Sequence, residues 1–171
     1  MKTLNLIFIA FATFQFMSCN TNKVNILSEQ DKEAIKSEIL AINEHVIESS
    51  ETVNFEKMIE PFADDPEFIS ITNGEIINYE GWKESNKEYF ENLDKQSFNL
   101  TIEKITIINK ETAILTLGGS AQALLKDGNQ IKFDPFAATV VLRKIDDFWE
   151  VIHIHESGIF TPIVEDSTSI E

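Results

Sequence analysis

The run Ala138-Thr139-Val140-Val141-Leu142-Arg143-Lys144, followed four residues later by Trp149-Glu150-Val151-Ile152-His153-Ile154-His155-Glu156-Ser157, decides how this chain folds. Both segments are rich in β-branched and aromatic residues, and Asp146-Asp147 supplies a turn between them. They read as the closing antiparallel hairpin of a curved sheet that holds a pocket. Alternation along the second strand places Glu150, Ile152, Ile154 and Glu156 on one face. Trp149, Val151, His153 and His155 fall on the other.

Working back from this hairpin, Lys126-Asp127-Gly128-Asn129 turns the chain into a strand over Ile131 to Lys144. The strand before it, Thr112 to Lys126, carries Gly118-Gly119 at its middle, where missing side chains let a sheet bend sharply. Earlier still, Phe98, Leu100 and Ile102 alternate with polar residues before the apolar phase changes to Ile105 and Ile107. A change of phase predicts a bulge. The last strand is expected over Phe148 to Phe160, and residues 161–171 read as a polar, loose tail.

The first half of the chain has helical period. Ser28 is a suitable N-cap, and Ile35, Ile39, Ile42 and Val46 recur at spacings of four, three and four, which predicts a helix over residues 29–50. A second helix is expected over Phe55 to Phe62, ended by Asp64-Asp65 and Pro66. Phe68-Ile69-Ser70-Ile71 and Glu75 to Asn78, joined through Asn73-Gly74, read as a small hairpin. Tyr79 to Leu93 reads as a third helix that brings Trp82, Tyr89 and Leu93 close together. The fold class is therefore α+β: a curved antiparallel sheet with about three helices packed on one face.

A chain of 171 residues, 43% of them hydrophobic, has the size of one domain with a continuous core. Its formal charge of -15 reflects 29 acidic against 14 basic residues with no basic cluster, which argues against nucleic acid as a partner. Thirteen phenylalanines are enough to line an apolar cavity as well as to fill a core.

Residues 1–18 read as an export signal: Lys2 gives the positive end, Leu4 to Phe16 the apolar stretch and Ser18 the small residue before the cut. Phe16-Met17-Ser18-Cys19 resembles a bacterial lipoprotein signal, which implies a lipid on Cys19, the chain's one cysteine. Residues 19–27 then form a lipidated linker. The expected location is the bacterial cell envelope, facing the periplasm, with the membrane touched through the lipid anchor alone.

The order of elements over residues 28–160 resembles the nuclear transport factor 2-like superfamily in its SnoaL-like branch. The resemblance is carried by Phe62-Ala63-Asp64-Asp65, Phe68-Ile69, Asn73-Gly74, Gly81, and the segment from Thr139 to Lys144 through Trp149, His153, His155 and Ser157. It implies a cone-like half-barrel closed by helices around a cavity, and a homodimer. Members include isomerases, cyclases, dehydratases, ligand-binding modules and assembly domains. The ending also resembles the association domain of calcium/calmodulin-dependent kinase II, whose cavity arginines correspond to Val140 and Glu156, so its anion binding does not carry over.

The resemblance implies that Ile152, Ile154 and Glu156 face the cavity, with Asp134, Phe136, Ala138 and Val140 from the neighbouring strand. Glu156 and Asp134 are then the candidate acid/base groups, because a carboxyl in a dry cavity titrates nearer neutrality. Tyr89 is the candidate hydroxyl, with Tyr79 as its alternative. Phe62, Trp82 and Phe136 are the candidate stacking surfaces, and each also reads as plain core. His153 and His155 share a strand face, but only His45 is left as a third histidine, so no metal is expected. No cofactor fingerprint is present, Gly118-Gly119 having no helix after it. The leading functional expectation is a domain that binds a small, largely apolar molecule without turning it over. The alternatives are an acid/base isomerase or dehydratase, and a homodimeric scaffold with an empty cavity.

Overall fold

The structure is a computed structural model and describes residues 27–163. The expected signal segment, Cys19 and most of the linker lie outside the described residues, as does the end of the tail.

Helix α1 (Glu29–Glu51) starts on a reciprocal cap: the Asp31 amide donates to Ser28 Oγ, and the Ser28 amide donates to the Asp31 carboxylate, each at 3.1 Å. Its apolar stripe is the predicted one, with Ile35 and Ile39 buried and Ile42 and Val46 partly buried against the core. Helix α2 (Phe55–Ile59) is shorter than expected, because Pro61 has no amide hydrogen to continue it. The chain crosses to the sheet instead. Val151 donates its amide hydrogen to the Pro61 carbonyl at 2.8 Å, and Ala63 donates to the Val151 carbonyl at 3.0 Å, so that Phe62 bridges Val151 in parallel.

Strands β1 (Ile69–Thr72) and β2 (Glu75–Ile77) form the small hairpin, with positive φ at both Asn73 and Gly74 as a tight two-residue turn requires. Helix α3 (Tyr79–Asn92) follows, capped by the Asn78 side chain. Four long strands complete the chain: β3 (Leu93–Asn109), β4 (Thr112–Leu125), β5 (Gln130–Ile145) and β6 (Phe148–Ile163). β6 thus continues three residues beyond the expected end of the domain, and Ile163 pairs with Gln130.

The six strands form one open sheet in the order β2-β1-β6-β5-β4-β3. All pairs are antiparallel except β1 with β6, which the sequence reading did not include. This parallel pair joins segments far apart in the chain and sets the hairpin beside the middle of β6.

Curvature comes from register shifts in the long strands. On β3 the middle one of three shifts lies between Leu100 and Ile102, earlier than the apolar pattern indicates, so Ile102 turns outward and is 55% exposed. On β4 a shift lies between Gly119 and Ala121, on β5 between Phe133 and Phe136, and on β6 at Ile152. The three helices cover the inner face. Their Ile39, Met58, Trp82 and Phe90 pack with Leu115, Val140, Leu142, Trp149, Val151 and Ile154 of the sheet in a single core.

Candidate functional site

One half of the cone is solid. Phe62 stacks on Trp82 with ring centroids 4.3 Å apart, and Phe68 packs edgewise on Phe62 and Tyr79. Burial of these rings against Val151 and Ile154 leaves no room between them for a ligand.

The other half holds a cavity of about 180 Å³ that opens to the surface beside Phe160. Its lining surface is mostly apolar and includes five phenylalanines: Phe90 from α3, Phe98 from β3, Phe133 and Phe136 from β5, and Phe160 from β6. The rings brace one another, Phe133 against Phe160 at 4.1 Å and Phe98 against Phe136 at 6.4 Å, both near-perpendicular. Polar groups enter at a few points, among them Thr72 and Asn73 of the hairpin, Asn86 and Tyr89 of α3, Gln96 of β3, and Glu156. Among the described residues no lysine, arginine or histidine lines the cavity.

Glu156 reaches this position through the β6 bulge. Leu142 pairs with Val151 but Val141 pairs with His153, so Ile152 is the extra residue and the alternation reverses there. Trp149 and Val151 face inward before the bulge, and Ile154, Glu156 and Gly158 face inward after it. The residue is half-buried, and partial loss of water holds its carboxyl above the ordinary glutamate range. Among the described residues nothing gives it an ion pair or a side-chain hydrogen bond. Its backbone is fixed instead: Glu156 pairs with Thr72, and its carbonyl accepts the Asn73 amide at 3.1 Å. Asn73 Oδ1 in turn accepts the Gly158 amide at 3.2 Å.

Tyr89 also lines the cavity, but its hydroxyl is engaged. It donates to Gln96 Oε1 at 3.1 Å, and Gln96 Nε2 donates to the Ser50 carbonyl at 3.0 Å. Burial raises the phenol to about 12, so it stays protonated.

Of the predicted site residues, Glu156, Tyr89 and Phe136 thus meet at the cavity. Asp134 does not join them: it lies on the register shift of β5, is exposed, and pairs with Lys132 at 2.7 Å. Phe62, Trp82, Val140 and Ile154 belong to the packed core, and Ala138 is buried beside them. Ile152 is displaced by the bulge and does not line the cavity. His155 is exposed on the outer face, while His45 pairs with Glu60 at 3.2 Å. Among the described residues no three His, Cys, Asp or Glu side chains are grouped to hold a metal ion.

Phe98, Phe133, Phe160 and Gln96 were not among the predicted lining residues. A signal for Phe133 was present, because a Pro inside a strand marks a bulge and Asp134-Pro135 separates Phe133 from the predicted Phe136. One bulge there lets residues three apart share a face. Deeper in the core, Ser70 Oγ is buried without a hydrogen-bond partner among the described residues, two positions before Thr72 on β1.

A family model described as the SnoaL-like domain matches residues 39–162, well over half of the chain. The chain belongs to the SnoaL-like family. Solved structures agree with this SnoaL-like domain in fold. A hexachlorocyclohexane dehydrochlorinase, LinA type 2, is 12% identical with a TM-score of 0.67, covering 84% of this chain and all of its own. A proposed scytalone dehydratase from Novosphingobium aromaticivorans is 9% identical with a TM-score of 0.70, over 84% of this chain and 100% of its own. A proposed dehydratase of the NTF2-like family from Streptomyces avermitilis is 16% identical with a TM-score of 0.65, over 76% and 99%. At such identities the likeness shows the fold of the SnoaL-like domain alone. No curated protein matches it in sequence.

Proposed function

We propose that this SnoaL-like domain binds a small, largely apolar molecule in the phenylalanine-lined cavity, without turning it over, while a lipid on Cys19 holds it in the cell envelope. The observation that carries the reading is the cavity itself: about 180 Å³, with five Phe rings in a lining whose surface is mostly apolar. A dry apolar cavity of roughly 150 Å³ is enough for benzene, so the size suits one ring with a short substituent. Among the described residues no helix is long and apolar enough to cross a membrane.

The test is native mass spectrometry of the protein isolated from its own host. A small-molecule adduct is expected, and Phe136→Asp should lose it while keeping its far-UV circular dichroism. An adduct unchanged in Phe136→Asp would overturn the cavity assignment. Cys19→Ser should move the protein from the membrane fraction to the soluble one; no movement would overturn the anchor.

A second reading is supported by Glu156. Structural neighbours are named as a dehydrochlorinase and proposed dehydratases, and eliminations of that kind need a base that takes a proton from carbon. An unpaired carboxyl in an aromatic cavity has that chemistry. Here Glu156→Gln would abolish turnover of a cavity-sized substrate while leaving its binding intact; equal turnover by the variant would remove this reading.

A further inference from the structure

We infer that the ligand of this cavity carries a positive charge: a small aromatic or aliphatic amine, with its ammonium group at Glu156 and its apolar body among the Phe rings. The inference deepens the binding reading above and rests on it.

Three observations point the same way. Five rings, those of Phe90, Phe98, Phe133, Phe136 and Phe160, line one small volume, and aromatic rings attract cations over their faces. One carboxyl enters that volume, and among the described residues no cation and no donor side chain answers it. A carboxylate that has lost part of its water gains from an ion-pair partner, and an ammonium group on the ligand supplies one. An anionic ligand would meet this carboxyl with no lysine, arginine or histidine in the lining to offset it. The formal charge of -15 adds a long-range field that concentrates cations near the protein.

The competing source of affinity is a neutral ligand hydrogen-bonded to a protonated Glu156. The two differ in how affinity follows pH. Among the described residues that line the cavity, the one other titratable side chain is Tyr89, which burial keeps protonated and Gln96 engages. Glu156 is therefore the group whose ionisation governs amine binding, and affinity for an amine rises as it loses its proton.

Isothermal titration calorimetry on the intact protein, with benzylamine, benzyl alcohol and benzoate as ring probes of one size, distinguishes the cases. Benzylamine is expected to bind at least about tenfold more tightly than benzyl alcohol at mildly alkaline pH, the scale of one charge-assisted hydrogen bond. Benzoate should not bind. Glu156→Gln should bring benzylamine and benzyl alcohol to within about twofold of each other. In the unsubstituted protein, benzylamine affinity should rise with pH through the acid range while that of benzyl alcohol does not, a readout that does not depend on the variant folding. Benzyl alcohol binding as tightly as benzylamine would overturn the charge inference and keep the cavity reading. Binding of none of the three would overturn both.

Discussion

Gly119 on β4 lies so close to Asn99 on β3 that a Cβ at Gly119 would overlap the Asn99 carbonyl oxygen, and the glycine holds a φ of +159° at the register shift of its strand. Its missing side chain is thus what lets β3 and β4 bend together around the cavity. Gly119→Ala should cost about 3 kcal/mol of stability by forcing backbone apart, measured by urea denaturation. Gly128→Ala serves as the comparison. Gly128 has open space around it and only its φ of +90° to strain, so its loss should be smaller.

Glu156 should make the protein less stable as pH rises. Burial raises its pKa in the folded protein above the ordinary value of 4.5, so between those two values the folded state holds more protons than the unfolded one. The stability is fully present below the ordinary glutamate pKa and falls as pH climbs through the folded one. Glu156→Gln should flatten this fall and melt higher than the unsubstituted protein at neutral pH. Melting temperatures of the two across the acid range check it. Parallel curves would mean that the carboxyl is solvated or paired.

The fold was legible because its signals are local. The Ile35-Ile39-Ile42-Val46 period, the Asn73-Gly74 turn and the Gly118-Gly119 bend each carry their own physics. The site was half legible because it depends on register. One extra residue at Ile152 reverses the face of everything after it, and alternation alone gives no hint of where β-branched residues are doubled. Glu156 and Ile154 stayed on the inner face, whereas Trp149 and Val151 joined them and Ile152 was lost. Asp134 was misplaced for the same reason, its strand shifting register beside Pro135. The division of the aromatic residues between a filled half and an empty half arises from tertiary packing and has no counterpart in the sequence.

That division changes what Trp82 does. It is 5% exposed, stacks on Phe62 and contacts the Phe68 and Tyr79 rings, all outside the cavity. Trp82→Ala should cost about 3–5 kcal/mol through the void it leaves, lowering the denaturation midpoint before any effect on binding is seen. A variant with unchanged midpoint and lost adduct would put Trp82 at the ligand instead.

Tyr89 separates a hydroxyl that serves the fold from one that serves the ligand. Its hydrogen bond to Gln96 closes a chain that ends on the Ser50 carbonyl, tying α3 to β3 and to the end of α1. Tyr89→Phe keeps the ring and leaves Gln96 Oε1, in a residue only 7% exposed, without its donor. The expected loss is about 1–2 kcal/mol, the cost of one buried acceptor left unpaired, with the adduct retained. Urea denaturation reads the first quantity and native mass spectrometry the second. If the adduct disappeared at unchanged stability, the hydroxyl would be turning from Gln96 to the ligand, and with Glu156 it would form the polar pair that the elimination reading requires. Retention of the adduct with the stability loss leaves Glu156 as the group on which recognition in this cavity turns.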